Sequence, residues 1–241
     1  MQQRDHLTWN SPALLGRQMD LLVFGNAGER MLAFPTSCGS YHQWADRKMP
    51  EVLAADIDAG RLQLFCAATN DAESWYDESL PLAERAAAQG RFDDCLRTEV
   101  LPRMAAINPH PVLVTVGASF GGYHAINFAL RHPELVSRVL SMSGVADIRR
   151  LTHGETDGAV YFQNPAEYIP LEHDAERLAA LRRLDIVLAI GRDDPLCSAN
   201  EQFSIALWER GIGNALRIWD GWAHDWPFWE AMLRTYVRGH D

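Results

Sequence analysis

Pro111-Val-Leu-Val-Thr-Val-Gly-Ala-Ser-Phe-Gly-Gly-Tyr-His-Ala125 decides how the rest of this chain is read. Residues 112–116 are a β-branched apolar run that predicts a buried strand. Residues 123–131 have helical spacing, and His132-Pro133 ends them. Between the two, Gly117-Ala-Ser-Phe-Gly121 matches Gly-x-Ser-x-Gly. Three fixed residues in five will occur by chance. A strand directly before them and a helix directly after form the setting that a nucleophile elbow requires. So tight a turn needs small residues two before and two after the serine. It forces the serine into strained backbone angles and holds its oxygen clear at a helix N-terminus.

Outward from this stretch, short apolar runs alternate with helical patterns. Residues 21–24, 31–34, 62–66, 139–142, 186–190 and 216–219 predict strands. Residues 82–107, 197–210 and 226–237 predict helices, the first with Pro102 placed to kink or divide it. Strands alternating with helices imply a mostly parallel central sheet with helices on both faces. No repeat or linker interrupts the 241 residues, so a single domain over 1–241 is expected. Residues 145–169 form one long irregular stretch. It reads equally as an excursion over the carboxyl edge of the sheet, where ligands bind, and as a surface loop without a role.

Composition narrows the partners. Hydrophobic residues make up 47% of the chain, enough for one sizeable core. Asp and Glu outnumber Lys and Arg by 32 to 22, a formal net charge of −10. Such a surface repels phosphate backbones, and the pair Arg182-Arg183 reads as a solvated helix face, so no nucleic-acid partner is expected. No apolar run is long enough to span a bilayer, and the N-terminus lacks the apolar core of a signal peptide, so no membrane partner is expected. Cys38, Cys66, Cys95 and Cys197 are dispersed, with neither Cys-x-x-Cys nor zinc-ligand spacing. Reduced thiols and a cytoplasmic location follow as the simplest expectation.

A serine hydroxyl needs a base. In the order Ser, then Asp or Glu, then His, this chain offers candidates at each place. The predicted strand Asp185-Ile-Val-Leu-Ala-Ile190 runs into Gly191-Arg-Asp-Asp-Pro-Leu196. Asp194 is the preferred acid, since Gly-x-x-Asp sends its fourth residue inward over the sheet edge. Asp193 is the alternative, and either could instead cap the following helix. His224, in Asp220-Gly-Trp-Ala-His-Asp-Trp-Pro-Phe-Trp229, follows the last strand and is the candidate base. His6 and His240 are terminal, His110 and His132 adjoin prolines, and His124 falls inside the elbow helix. His42, His153 and His173 lie in or near loops, where the first two could line a substrate site. Two backbone N–H groups are needed for an oxyanion hole. Phe120, next to the serine, supplies one. The loop Pro35-Thr-Ser-Cys-Gly-Ser40 supplies the other, with Cys38 preferred and Gly39 close behind. Trp219, Trp222, Trp226 and Trp229 crowd the histidine, as core packing or as an apolar wall for an acyl group.

Phe34-Pro-Thr-Ser, Gly117-Ala-Ser-Phe-Gly-Gly-Tyr-His-Ala with Asn127-Phe-Ala-Leu-Arg-His-Pro behind it, Gly191-Arg-Asp-Asp-Pro-Leu and His224-Asp-Trp-Pro-Phe-Trp together resemble an esterase family of α/β-hydrolases. That family includes esterase D (S-formylglutathione hydrolase), feruloyl and acetylxylan esterases and the antigen 85 mycolyltransferases. The resemblance runs from about Met31 onward. It implies the α/β-hydrolase fold and a Ser-Asp-His triad on Ser119, Asp194 and His224. It also implies a small-molecule ester substrate, with no cofactor and no metal. Relatives often carry His-Gly or Gly-Leu in the oxyanion loop, where this chain has Thr-Ser-Cys-Gly. An acyltransferase would use the same triad. A binding protein on the same fold would not need it.

Overall fold

A computed structural model describes residues 4–156 and 158–239; His240 lies outside the described residues. The chain divides into two compact units, Met1–Leu113 and Val114–Asp241.

The first unit holds β1 (Arg4–Ser11), β2 (Arg17–Phe24), β3 (Glu29–Phe34) and β4 (Leu62–Ala67), side by side in the order β1-β2-β4-β3. β1 with β2 and β2 with β4 are antiparallel, and β3 with β4 is parallel, Met31 opposite Leu64. All of β4 is buried, as an apolar strand covered on both faces should be. β1 escapes a periodicity reading because it is an edge strand with a polar, mostly exposed sequence. Three short helices, α1 (Gln43–Asp46), α2 (Met49–Val52) and α3 (Ala54–Asp58), link β3 to β4. The helix expected over 82–107 is one rod with a fault in it: α4 (Leu82–Cys95), a π-helical turn (Leu96–Val100) and α5 (Leu101–Ile107). Pro102 has no N–H for the carbonyl of Thr98, and the ladder widens just before it.

The π turn carries Glu99, a buried carboxylate. It accepts from Trp9 Nε1 at 2.6 Å, Ser11 Oγ at 2.8 Å and the Ala13 amide at 2.9 Å, fastening the β1–β2 hairpin to the helix. Arg103 lies 4.2 Å over the Trp9 ring.

In the second unit β5 (Leu113–Ala118, beginning at the boundary), β6 (Arg138–Met142), β7 (Asp185–Gly191) and β8 (Ala215–Trp219) are parallel and adjacent in chain order. The registers put Val116 opposite Leu140, Leu140 opposite Val187 and Ile190 opposite Ile218. β5 is wholly buried, whereas β8 is half-buried throughout, as an edge strand is. α6 (Phe120–Arg131) is buried from Phe120 to Leu130, on every side. The irregular stretch after β6 contains α7 (Gly158–Tyr161) and α8 (Pro165–Tyr168). It is pinned to α6 by buried polar groups. Tyr123 donates to the Gln163 carbonyl at 2.9 Å, Asn127 Nδ2 to Gln163 Oε1 at 3.2 Å, and Tyr168 to Asn127 Oδ1 at 3.2 Å. α9 (Ala175–Leu181), α10 (Cys197–Glu209) and α11 (Trp226–Tyr236) complete the unit. Arg182 is not on a helix face: it follows α9 and donates to the Arg210 carbonyl beyond the end of α10. Among the described residues no helix is long and apolar enough to cross a membrane.

The Glu99 carboxyl tests how the hairpin is held. Burial alone would raise its pKa, but bonds from Trp9, Ala13 and Ser11 and the nearby Arg103 outweigh that and hold it below the ordinary value. A depressed pKa contributes stability that is complete above the unfolded value of ~4.3 and is lost as pH falls through the lower folded value. Glu99→Ala should cost roughly 2–3 kcal/mol at neutral pH. In urea unfolding, its difference from the parent chain should shrink on acidification through that window; a pH-independent difference would refute the charged role.

Candidate active site

β5 ends at Ala118 and α6 begins at Phe120, so the whole reversal falls on Ser119. Its φ of 54° and ψ of −121° lie where a side chain is strained. A Cβ on Gly117 would sit 2.1 Å from the Gly121 carbonyl carbon, so only glycine fits there. The Ser119 amide donates to the Met142 carbonyl at 2.9 Å, and its own carbonyl accepts from Gly122 at 3.0 Å and Val145 at 3.2 Å. Its side chain does not cap α6. The hydroxyl lies instead 3.1 Å from His224 Nε2.

His224 Nδ1 is 2.7 Å from Asp194 Oδ2. An ionised carboxylate only accepts, so Nδ1 carries the proton and, in the neutral ring, Nε2 is left to accept from the Ser119 hydroxyl. Asp194 is 4% exposed, and its other oxygen accepts from the Leu196 amide at 2.9 Å. Asp193 is exposed and does not join this line; its amide donates to the Gly221 carbonyl at 3.0 Å. The histidine loop comes this close because residue 191 is glycine: a Cβ there would lie 2.2 Å from the Trp222 carbonyl oxygen. Trp222, 53% exposed, stacks on the imidazole with centroids 5.5 Å apart, and the buried Trp229 meets it edge-on at 5.4 Å. Trp226 packs edge-on against Trp229, and Trp219 donates to Tyr236.

Phe120 opens α6, at the positive end of that helix. Cys38, in the first unit, sits in a left-handed turn at φ 53°. Its amide already donates to Asp71 Oδ2 at 3.0 Å, and the Gly39 amide donates to the Thr36 carbonyl at 2.8 Å. Gln43 grips the same loop, accepting from the Thr36 amide and donating to its hydroxyl, both at 2.8 Å. Tyr76 donates to Ser37 Oγ at 2.8 Å.

The other histidines have different settings. His42 is exposed and pairs with Asp46 at 2.5 Å; His153 and His173 are exposed; His124 is buried in α6 between the rings of Phe120 and Tyr123. Thiol nucleophiles are disfavoured. Burial, then Asp71 and Glu73, push the Cys38 thiol above its ordinary value; burial, then Glu201 and Asp194, do the same to Cys197; burial pushes Cys95 up to about 11. At neutral pH these sulfurs stay protonated and weakly nucleophilic.

A sequence reading centred on titratable residues passes over Ser143. It is fully buried, left-handed at φ 48°, and follows β6 directly. Ser141-Met-Ser-Gly144 carries no local signal for it, since nothing there shows what its hydroxyl meets.

No curated protein sequence matches the chain. Its structure is similar to a ferulic acid esterase, with a TM-score of 0.78, 20% identity and coverage of 97% of this chain and 96% of that one. An S-formylglutathione hydrolase from Staphylococcus aureus matches with a TM-score of 0.72, 15% identity and coverage of 97% and 94%. MPT51 from Mycobacterium tuberculosis matches with a TM-score of 0.72, 16% identity and coverage of 96% and 95%. These likenesses establish the α/β-hydrolase fold, a mostly parallel sheet with helices on both faces. With the family profile described as Putative esterase matching residues 33–239, the chain belongs to that family and is a carboxylic-ester hydrolase.

Proposed function

We propose that this chain cleaves small-molecule carboxylic esters through an acyl-enzyme formed on Ser119. The observation that carries the reading is the unbroken line from Ser119 Oγ to His224 Nε2, 3.1 Å, and from His224 Nδ1 to Asp194 Oδ2, 2.7 Å. The Ser119 oxygen attacks the ester carbonyl as its proton passes to Nε2. Asp194 steadies the imidazolium and fixes the tautomer. His224 then protonates the leaving alcohol, and water, activated by the same nitrogen, releases the acid. The steps call for neither cofactor nor metal.

The Phe120 amide is proposed as one oxyanion donor. Cys38 is proposed as the second, with a condition set by its own loop. Its amide is held by Asp71, so it serves only by exchanging that carboxylate for the oxyanion.

Three outcomes follow. Ser119→Ala should abolish covalent labelling by a fluorophosphonate and lower turnover on the order of 10³-fold or more in a protein that still folds. Cys38→Ala, which keeps the amide, should retain full labelling; stoichiometric labelling of the Ser119 variant instead would place the nucleophile elsewhere.

Asp194→Asn should cost far more than Asp193→Asn, on the order of 10³-fold against a few-fold, because only the buried acid fixes the imidazole. The reverse ranking in kcat would hand the role to Asp193.

On a substrate that does not itself titrate, kcat/KM should rise with pH through one ionisation as the base loses its proton. His224→Ala should remove nearly all activity, whereas His42→Ala and His153→Ala should keep the ascending limb. A His224→Ala enzyme with high activity and the same limb would defeat the assignment.

A further inference from the structure

We infer that Ser143 is a positioning residue, which holds the histidine loop in place through a hydroxyl relay from Trp229 to the Ala223 carbonyl. This rests on the reading of His224 as the base.

The direction of the relay is fixed by chemistry. Trp229 Nε1 lies 3.0 Å from Ser143 Oγ, and an indole N–H can only donate. The hydroxyl therefore accepts from Trp229 and must send its own proton onward. Its other partner is the Ala223 carbonyl, 3.0 Å away, which can only accept. Both functions of the hydroxyl are used, in a site with no access to water, since Ser143 and Ala223 are each 0% exposed.

Each end of the relay bears on the imidazole. Ala223 immediately precedes His224 and is itself left-handed, at φ 43°. Its carbonyl is thus the last anchored backbone atom before the base. Trp229 is the ring whose edge meets the imidazole at 5.4 Å. The Ser143 backbone fixes a third point, donating to the Ala189 carbonyl at 2.7 Å, on the strand that leads to Asp194. Two neighbours in the same segment, Met142 and Val145, bond the two backbone groups of Ser119. The short segment from Met142, the last residue of β6, to Val145 therefore touches the strand of the acid, the loop of the base and the turn of the nucleophile. Core packing alone would be served by alanine here and gives no reason for a hydroxyl, nor for a non-glycine residue at φ 48°.

Ser143→Gly is the discriminating variant. Glycine accepts the left-handed backbone and keeps the amide bond to Ala189, while deleting the hydroxymethyl side chain that makes the relay. With the wild type first shown to react stoichiometrically with a fluorophosphonate, the folded Ser143→Gly enzyme should lose about 10- to 100-fold in kcat, the scale of one or two buried hydrogen bonds, with KM little changed. The far-downfield proton resonance of His224 Nδ1 should broaden or disappear, which a purely structural role would not cause. Trp229→Phe, which keeps an aromatic ring beside the imidazole but removes the N–H together with the five-membered ring, should show the same signs more weakly. It should combine with Ser143→Gly less than additively, because both act on one relay. If Ser143→Gly does not fold, Trp229→Phe alone decides. Wild-type kcat and an unmoved resonance in the folded variant would overturn this inference and leave the nucleophile standing. A wild type that the fluorophosphonate does not label would overturn the parent reading, and the relay with it.

Discussion

How closely one backbone can approach another around Ser119 is the constraint on which the rest of this site depends. The turn reverses direction on one residue, and a side chain at Gly117 would collide with Gly121. The same closeness recurs behind the turn, where a Cβ on Gly144 would fall 1.9 Å from Ser141 Oγ. It recurs again where Gly191 lets the Trp222 carbonyl come in. The first of these contacts shapes the turn that holds Ser119, and the last brings the loop of His224 against the end of β7. Tight packing makes such an arrangement intolerant of even one added carbon.

Strain concentrates in the same place. Ser119, Ser143 and Ala223 are all left-handed without being glycine, and they meet around His224. A sparsely populated backbone conformation costs roughly 1–3 kcal/mol per residue and persists only where the surroundings over-determine it. Here the surroundings do: Ser119 has three backbone bonds, and Ser143 uses its amide and both functions of its hydroxyl. The wholly buried α6 extends this frame, carrying Tyr123 and Asn127, which pin the stretch after β6. Gln163, Asn164, Tyr168 and Ile169 of that stretch are accordingly buried.

Electrostatics divides the labour among groups that look alike in sequence. Asp193 and Asp194 are adjacent carboxylates, but one is solvated and the other is 4% exposed with both oxygens engaged. Four thiols are present, and around Cys38 and Cys197 burial and acidic neighbours favour the protonated form. Burial and acidic neighbours thus keep these two sulfurs protonated, whereas the Ser119 hydroxyl lies 3.1 Å from His224 Nε2.

Much of this was legible in the residues. The β-branched run before Gly117, the apolar spacing after Gly121 and the alternation of the later strands carry local periodicity, and periodicity survives folding because burial imposes it. The order of Ser119, the Asp193-Asp194 pair and His224 was equally visible, since the spacing follows strand ends. β1 was not, because a polar edge strand buries too little to mark itself. The π turn was hinted at only by Pro102. Which aspartate meets the imidazole was decided by the turn after β7, and the hold of Asp71 on the Cys38 amide by a contact 33 residues away in sequence. Ser143 was beyond reach for the same reason: its hydroxyl has meaning only once residues 223 and 229, 80 and 86 positions onward, are folded against it. Sequence fixes what each segment can become, because propensity and burial pattern act locally. Tertiary structure alone decided which polar atoms met, because those partners are brought together only by long-range packing.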